Sequence, residues 1–166
     1  MPNWVSNQLT VLGSKEEVAN FVERAKSADS VFDFNSFVPM PDALRSTDEV
    51  HYGDPEQRAK QEAIYATNKA VYGFQSWYDW ACEKWGTKWN ACDAQVLHED
   101  KDGISYDFQT AWDAPLPLIV EMSKQFPNLK FILQSDEESQ AFFYEKEFVA
   151  GEETKHEDLE RQEEEQ

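Results

Sequence analysis

The sequence predicts an α+β protein: a ferredoxin-like βαββαβ sandwich with a helical, tryptophan-rich insertion and an extra C-terminal strand. A length of 166 residues favours one domain. Strand-type and helix-type apolar periods follow one another in the order of the βαββαβ plan. We expect the domain to span residues 1–151, with the insertion at about 41–90, between the first helix and the second strand. Residues 152–166 are predicted to form a disordered acidic tail.

The first strand and helix have clear local signals. Residues 4–12 alternate apolar and polar side chains, as a half-buried strand does, and Gly13 ends the run. Ser14 and Glu17 have the spacing of a capping box, which satisfies free amides at a helix start. The predicted helix then extends to about Ala28. Its apolar face comprises Val18, Phe21, Val22 and Ala25.

The insertion is predicted to contain two helices. Asp54, followed by proline, is a favourable N-cap for a helix over about 55–71, which Gly73 ends. A second helix is expected over about 75–85, closed by Gly86. A face of small side chains runs along the first of these helices: Ala59, Ala63, Ala66 and Ala70.

The remaining elements complete the sandwich. They are a strand at 93–99, a turn at Lys101-Asp102-Gly103, a strand at 104–109, a helix at 118–126, a strand at 129–133 and the extra strand Phe142–Val149. Crossovers of this kind place both helices on one face of an antiparallel sheet.

Charge is the main compositional feature. There are 33 acidic and 15 basic residues, a net −18. Residues 152–166 contribute eight carboxylates against two basic side chains, a net −6, which leaves −12 for residues 1–151. Nucleic acid and anionic membranes should repel such a protein, so a charged partner is expected to be basic.

No catalytic, cofactor or metal motif is found. Cys82 and Cys92 are expected to be free thiols in the cytoplasm, because no secretory signal or long apolar segment is present. The histidines, His51, His98 and His156, form no zinc-ligand pair. A Cys–His nucleophile remains formally possible, but nothing in the sequence activates either thiol.

Acidic side chains concentrate in three segments. Their members are Asp42, Asp48, Glu49, Asp54 and Glu56; Glu99, Asp100 and Asp102; and Asp136, Glu137 and Glu138. One interpretation is an ordinary solvated surface. The other is an ordered array of carboxylates that imitates DNA and occupies a basic groove on a partner protein.

The tryptophan-rich segment also has two interpretations. Trp77, Trp80 and Trp85 can clamp the insertion onto the sheet, or they can form a stacking platform for bases or sugars. Only Lys84 and Lys88 are near enough in sequence to follow a nucleic-acid backbone, which favours the clamp.

Several distinctive motifs occur in order along the chain: Met1-Pro2-Asn3-Trp4 with Asn7, Phe37-Val38-Pro39-Met40-Pro41, Tyr78-Asp79-Trp80, Trp85-Gly86-Thr87-Lys88-Trp89, Thr110-Ala111-Trp112 with Pro115, and Phe126-Pro127. Together they resemble the YubB-type ferredoxin-like domain, a family of unknown function from phages, prophages and conjugative plasmids. The resemblance covers about residues 1–135, so the tail looks like an addition. Val5 stands where the family's opening has Cys. The resemblance implies a bacterial or phage cytoplasmic setting and no catalytic residues.

These observations give a leading hypothesis and an alternative. The leading hypothesis is a non-enzymatic mobile-element protein whose acidic segments bind a host protein with a basic nucleic-acid-binding surface. It could act as a DNA mimic that inhibits restriction or CRISPR defence, without direct nucleic-acid or membrane binding. The alternative is a small-molecule-binding module or enzyme with a pocket between the sheet and the insertion. Its expected lining is Asn7, Asn35, Trp80, Lys88 and Asn90.

Overall fold

The computed structural model describes residues 1–47 and 53–162, and a six-stranded antiparallel sheet organises this part of the chain. The strands are β1 (Trp4–Leu12), β2 (Cys92–Glu99), β3 (Gly103–Ala111), β4 (Lys130–Glu137), β5 (Phe143–Val149) and β6 (Glu152–Asp158). The α-helices are α1 (Lys15–Ala25), α2 (Asp42–Arg45), α3 (Pro55–Tyr72), α4 (Trp77–Lys84) and α5 (Leu116–Gln125), with a 3₁₀ turn at Phe34–Ser36.

The strand order is β2-β3-β1-β4-β5-β6. Its first four strands have the ferredoxin-like arrangement, with β1 antiparallel to both β3 and β4. Leu9 of β1, for example, lies opposite Tyr106 on one side and Leu133 on the other. The predicted fold class is therefore confirmed. The predicted extra strand is β5, which pairs with β4.

The core lies between the sheet and the helices α1 and α5. Along β1, every second residue from Val5 to Val11 is buried, while its neighbours are exposed or half-buried. Phe21 of α1 packs on this face, with its ring centroid 5.5 Å from that of Phe131 on β4. α5 buries Leu118, Ile119 and Met122. Each fully buried side chain of this size stabilises the fold by about 1.5–3 kcal/mol.

Local signals set the helix ends where the sequence predicts them. The Ser14 hydroxyl accepts a hydrogen bond from the Glu17 amide at 3.3 Å, and the Asp54 carboxylate accepts one from the Glu56 amide at 3.0 Å. Gly73 and Gly86 have positive φ of 82° and 85°. α1 ends at Ala25, earlier than predicted, because the Ala25 carbonyl accepts from the Asp33 amide as the chain turns back.

The predicted disordered tail is wrong for residues 152–158, which form the edge strand β6. Ala150 and Gly151, with φ of 50° and 86°, make the two-residue turn of a β5–β6 hairpin. The Gly151 amide donates to Ser123 Oγ at 2.8 Å, and Lys146 Nζ lies 2.6 Å from Glu153 Oε1. All seven β6 residues are exposed, so main-chain pairing holds a strand that has no apolar period.

The longest helix of the insertion, α3, buries little of its surface. Its buried residue is Asn68, whose Nδ2 donates to the Gln75 carbonyl at 3.3 Å. Ile64 and Val71 are exposed. The face of small side chains noted above also lies in solvent: Ala59, Ala63, Ala66 and Ala70.

The shorter helix α4 is anchored by its tryptophans. Trp80 and Trp85 are buried, and their ring centroids lie 5.2 Å apart in an edge-to-face arrangement. Trp85 Nε1 donates to the Val38 carbonyl at 2.9 Å, and its ring packs edge-on against Phe34. These two rings are therefore part of the core and serve as a clamp. Trp77 is half-buried and lines a pocket instead.

Replacing Gly86 by alanine should destabilise the protein more than replacing Gly73. Both residues have positive φ, which costs an L-residue about 1–2 kcal/mol. A Cβ at Gly86 would also collide with the Pro117 ring, whereas nothing lies within 4 Å of one at Gly73. Overpacking adds about 1–3 kcal/mol. Urea denaturation of Gly86→Ala and Gly73→Ala checks the difference, and equal losses would contradict it.

Candidate partner-binding surface and pocket

The structure separates the three predicted acidic segments. Glu99, Asp100 and Asp102 lie at the β2–β3 turn, at the end of the sheet where Leu12 pairs with Gly103. The segment 136–138 lies at the opposite end, where Val5 pairs with Glu137. Seven residue steps along β1, from Val5 to Leu12, put these ends ~24 Å apart. The three segments therefore do not form one continuous stripe.

Carboxylates of the first segment lie in the insertion. Asp42 begins α2 and lies 3.7 Å from Arg45. Asp54 caps α3, and Glu56 lies 3.7 Å from Lys60. The two remaining members, Asp48 and Glu49, lie outside the described residues.

At the hairpin tip, Asp100 shapes the turn. Its Oδ1 accepts hydrogen bonds from the amides of Asp102 and Gly103 at 2.8 and 3.0 Å, and its Oδ2 lies 3.0 Å from His98 Nε2. The hydrogen bonds from the Asp102 amide and the His98 ring lower the pKa of Asp100. Glu99 and Asp102 are exposed.

Glu137 of the third segment is structural, which corrects its assignment to the acidic surface. It is only 2% exposed, and its Oε2 accepts from the Ser139 hydroxyl and amide and from the Ala141 amide at 2.6–3.0 Å. Glu137 thereby orders the β4–β5 turn, and sequence alone does not distinguish such a role from surface charge. Asp136 is half-buried and paired with Arg161, and the exposed Glu138 accepts from the Trp4 amide through Oε1 at 2.8 Å.

The structure orders a different acidic surface, which is formed by β5, β6 and Glu160 just after β6. We call it the C-terminal acidic edge: Glu145, Glu152, Glu153, Glu157, Asp158 and Glu160. Glu145 lies directly opposite Glu157 in the β5–β6 register, and like charges in that position destabilise a sheet. Partial compensation comes from Lys146 with Glu153 and from Lys155 with Glu157. Glu145 lies on the predicted extra strand, whereas the other five residues belong to the segment predicted to be a disordered tail, in which charges would keep no fixed pattern.

A pocket of about 320 Å³ lies where the insertion meets the loop after α1. Its lining is Asn35, Met40, Arg45, Trp77, Trp85, Lys88, Trp89 and Asn90. Three of the predicted lining residues are therefore brought together: Asn35, Lys88 and Asn90. Trp80 is buried in the core. Asn7 is also buried, where its side chain bonds to Thr110 Oγ1 at 2.9 Å and Ser135 Oγ at 2.8 Å.

The Asp33 carboxylate accepts hydrogen bonds from the side chains of both asparagines of the pocket. Its Oδ1 accepts from Asn90 Nδ2 at 2.8 Å and from the amide and Nδ2 of Asn35 at 2.9 and 3.2 Å. Burial raises the pKa of Asp33, but these hydrogen bonds outweigh it and leave the pKa lowered. Asn90 Oδ1 in turn accepts from the amides of Phe34 and Ala91. Both asparagine side chains are thus already engaged within the protein.

Lys88 is the pocket's most available polar group. Its Nζ lies 4.8 Å from the ring centroid of Trp89, 5.6 Å from that of Tyr78 and 6.0 Å from that of Trp77. Arg45 adds a second cation, although its Nη2 bonds to Asn35 Oδ1 and the Met40 carbonyl. Two cations in a pocket lined by tryptophans suit a ligand that joins a planar ring to an anionic group.

The described residues offer no support for the other site types considered. No group of three potential metal ligands occurs among them. Burial and the neighbouring Asp93 raise the pKa of the Cys92 thiol, which disfavours the reactive thiolate. Cys92 and His98 stand at opposite ends of β2, ~20 Å apart by strand length. None of the described helices is long and apolar enough to span a membrane.

Glu137→Gln should lower stability at neutral pH and flatten its dependence on acidic pH. Hydrogen bonds from the Ser139 hydroxyl and the Ala141 amide lower the pKa of Glu137 below its ordinary 4.5. The native carboxylate therefore contributes stability above about pH 4.5 that is lost as the pH falls through the lower folded-state pKa. Unfolding free energies from pH 7 to 3 test this. The exposed Glu160→Gln is the control, and matching profiles for the two variants would contradict the assignment.

Comparisons with known proteins place the fold. A family model described as "Ferredoxin-like domain in Api92-like protein" matches residues 84–166, half of the chain. Because this range includes β6, the acidic tail is part of the domain and not an addition to it. No curated protein matches. The crystal structure of protein api92 from Yersinia pseudotuberculosis is similar, with a TM-score of 0.55, 9% identity and coverage of 98% of this chain and 100% of that chain, a likeness that shows the fold alone. The chain belongs to the family of ferredoxin-like domains in Api92-like proteins.

Proposed function

We propose that this protein is a non-enzymatic acidic protein of a phage or other mobile element. In the cytoplasm of a bacterial host, it binds a host protein through that protein's basic nucleic-acid-binding surface. The observation that carries the proposal is the C-terminal acidic edge, which holds carboxylates on a paired strand in a chain of net charge −18. The mobile-element setting rests on the resemblance to YubB-type domains.

Rigidity matters because a charge array must keep its pattern to match a partner. Residues of one face repeat every ~6.8 Å along a strand, so Glu145 and Glu147 of β5 have a fixed spacing. Glu147 is neutralised by Lys130 at 3.0 Å, whereas Glu145 faces Glu157 across the hairpin. Opposed like charges weaken the sheet, and their presence at an exposed edge fits a surface shaped for binding.

A DNA-mimicking inhibitor of restriction or CRISPR defence is the specific form of this function that we favour. Carboxylates on an ordered edge can occupy a groove that otherwise holds phosphates, and long-range attraction accelerates such encounters. Because the three segments selected from the sequence lie apart, this form rests on the C-terminal acidic edge rather than on one stripe across the molecule.

The double variant Glu145→Gln/Glu157→Gln tests the acidic edge. It should lower the affinity for the host partner about tenfold, as loss of two steering and pairing charges does. It should also raise the unfolding free energy by roughly 0.2–1 kcal/mol, because the like-charge pair is gone. The partner is first captured from a bacterial lysate, and binding is then measured with purified proteins.

Glu62→Gln/Glu83→Gln is the matched control, with the same charge change at exposed helix positions. DNA should compete with the wild-type protein for the captured partner. Equal affinities of the two double variants, or binding unaffected by DNA and by salt, would contradict the proposal.

A small-molecule-binding function is the second candidate, and the pocket around Lys88 favours it. The probe is adenosine monophosphate, whose base can stack on tryptophan while its phosphate meets Lys88 and Arg45. Binding should raise the Tm of the wild-type protein by mass action. Lys88→Met should abolish the shift, and Lys101→Met at the hairpin tip should retain it. No shift in the wild-type protein, or the same shift in both variants, would count against this use of the pocket.

A further inference from the structure

A second groove lies between α1 and the edge strand β2. Its volume is about 290 Å³. Its apolar wall is formed by Ala19, Val22, Val31 and Val96. Glu23 and Glu99 supply carboxylates at its margin, and Lys26 lies 2.9 Å from Glu23. The groove is thus an aliphatic channel flanked by acids.

The groove contains a buried hydroxyl group, that of Tyr106, whose hydrogen-bonding capacity is not satisfied. This β3 residue lines the groove and is only 1% exposed, and its hydroxyl has no hydrogen-bond partner in the described part of the chain. Burial, with the charge of Glu99, raises the pKa of Tyr106, so the phenol stays protonated. A buried hydroxyl without a partner costs about 1–3 kcal/mol, and a bound group that supplies one recovers this energy.

The adjacent strand edge is open. β2 lies at the end of the sheet, and in the described residues it pairs only with β3, with two register shifts. Val96 and Leu97 are 40% and 49% exposed on it. A peptide that added to this edge would place every second side chain on the same sheet face as Val96 and Glu99, and therefore in the groove.

We propose that the groove receives a lysine or arginine side chain from an extended segment of the basic partner, which adds to β2 as a further strand. The aliphatic stem would lie along Val22, Val31 and Val96. The cationic head would meet Glu99 and donate a hydrogen bond to the Tyr106 hydroxyl. This site rests on the proposed function and gives it a defined chemistry, since it selects a basic side chain in an extended backbone.

Charge complementarity identifies the occupant. The rim and the adjoining turn carry Glu23, Glu99, Asp100 and Asp102 against Lys26 and Lys101. A second copy of this chain would bring the same negative edge against itself, and like-charge contacts are costly at an interface. A basic segment has the opposite charge and can also bury the exposed Val96 and Leu97.

The test uses two blocked octapeptides of equal charge, acetyl-(Lys-Val)₄-amide and acetyl-(Lys-Pro)₄-amide. Proline has no backbone N–H, so the second peptide cannot complete a strand. In ¹H–¹⁵N titrations of the full chain, the Lys-Val peptide should shift amides of β2 and α1. It should bind at least about tenfold more tightly than the Lys-Pro peptide, since several main-chain hydrogen bonds separate the two.

Side-chain variants test whether the Lys-Val peptide binds in the groove. Glu99→Gln should weaken the Lys-Val peptide about tenfold, as loss of a charge-assisted hydrogen bond does. Glu62→Gln, the same charge change on α3 and outside both the groove and the C-terminal acidic edge, should leave the affinity within about twofold. Tyr106→Phe should weaken binding about fivefold without lowering the unfolding free energy, because it removes a hydroxyl that has no partner in the free protein.

The results separate this inference from the proposed function. Equal binding of both peptides, or equal effects of Glu99→Gln and Glu62→Gln, would overturn the groove and leave the C-terminal acidic edge as the binding surface. Absence of binding by the Lys-Val peptide would also overturn the groove. The proposed function itself fails if the two double variants bind the captured host protein equally, or if DNA and salt do not affect that binding.

Discussion

The arrangement of insertion and sandwich depends on the hydrogen bonds that the Asp33 carboxylate accepts. Its donors are Asn35, in the 3₁₀ turn, and Asn90, which lies 57 residues after Asp33 at the exit from the insertion. Asn90 returns the contact by accepting the Phe34 and Ala91 amides. One half-buried anion, kept charged by its donors, thereby closes the loop that contains all of the helices described in the insertion.

The hydrogen bonds around Asp33 also limit which polar groups the neighbouring pocket can offer to a ligand. Asparagines beside a cavity normally suggest ligand recognition, but here their oxygens and amide nitrogens already bind Asp33, Arg45 and the backbone. What remains for a ligand is the cation of Lys88 among its aromatic rings. The walls of the pocket are therefore part of the scaffold, and its chemistry depends on very few side chains.

Sequence reasoning succeeded where the signal is local or periodic. The Ser14 and Asp54 caps and the glycines at 73 and 86 act through near neighbours, and alternation along β1 reports burial on one sheet face. It failed for β6, because a strand exposed on both faces has no apolar period and is held by pairing with β5. Folding also decides which carboxylates are buried: Glu137 binds the backbone in a turn, whereas the adjacent Glu138 is exposed.

The solvent-facing alanines of α3 leave that surface of the helix open to substitution. Asn68 is the buried residue of α3, and its hydrogen bond goes to Gln75, just beyond the helix end, rather than to the sheet. Packing therefore constrains few positions on the outer side of this helix. Polar or charged side chains can be introduced there without repacking of the β-sheet.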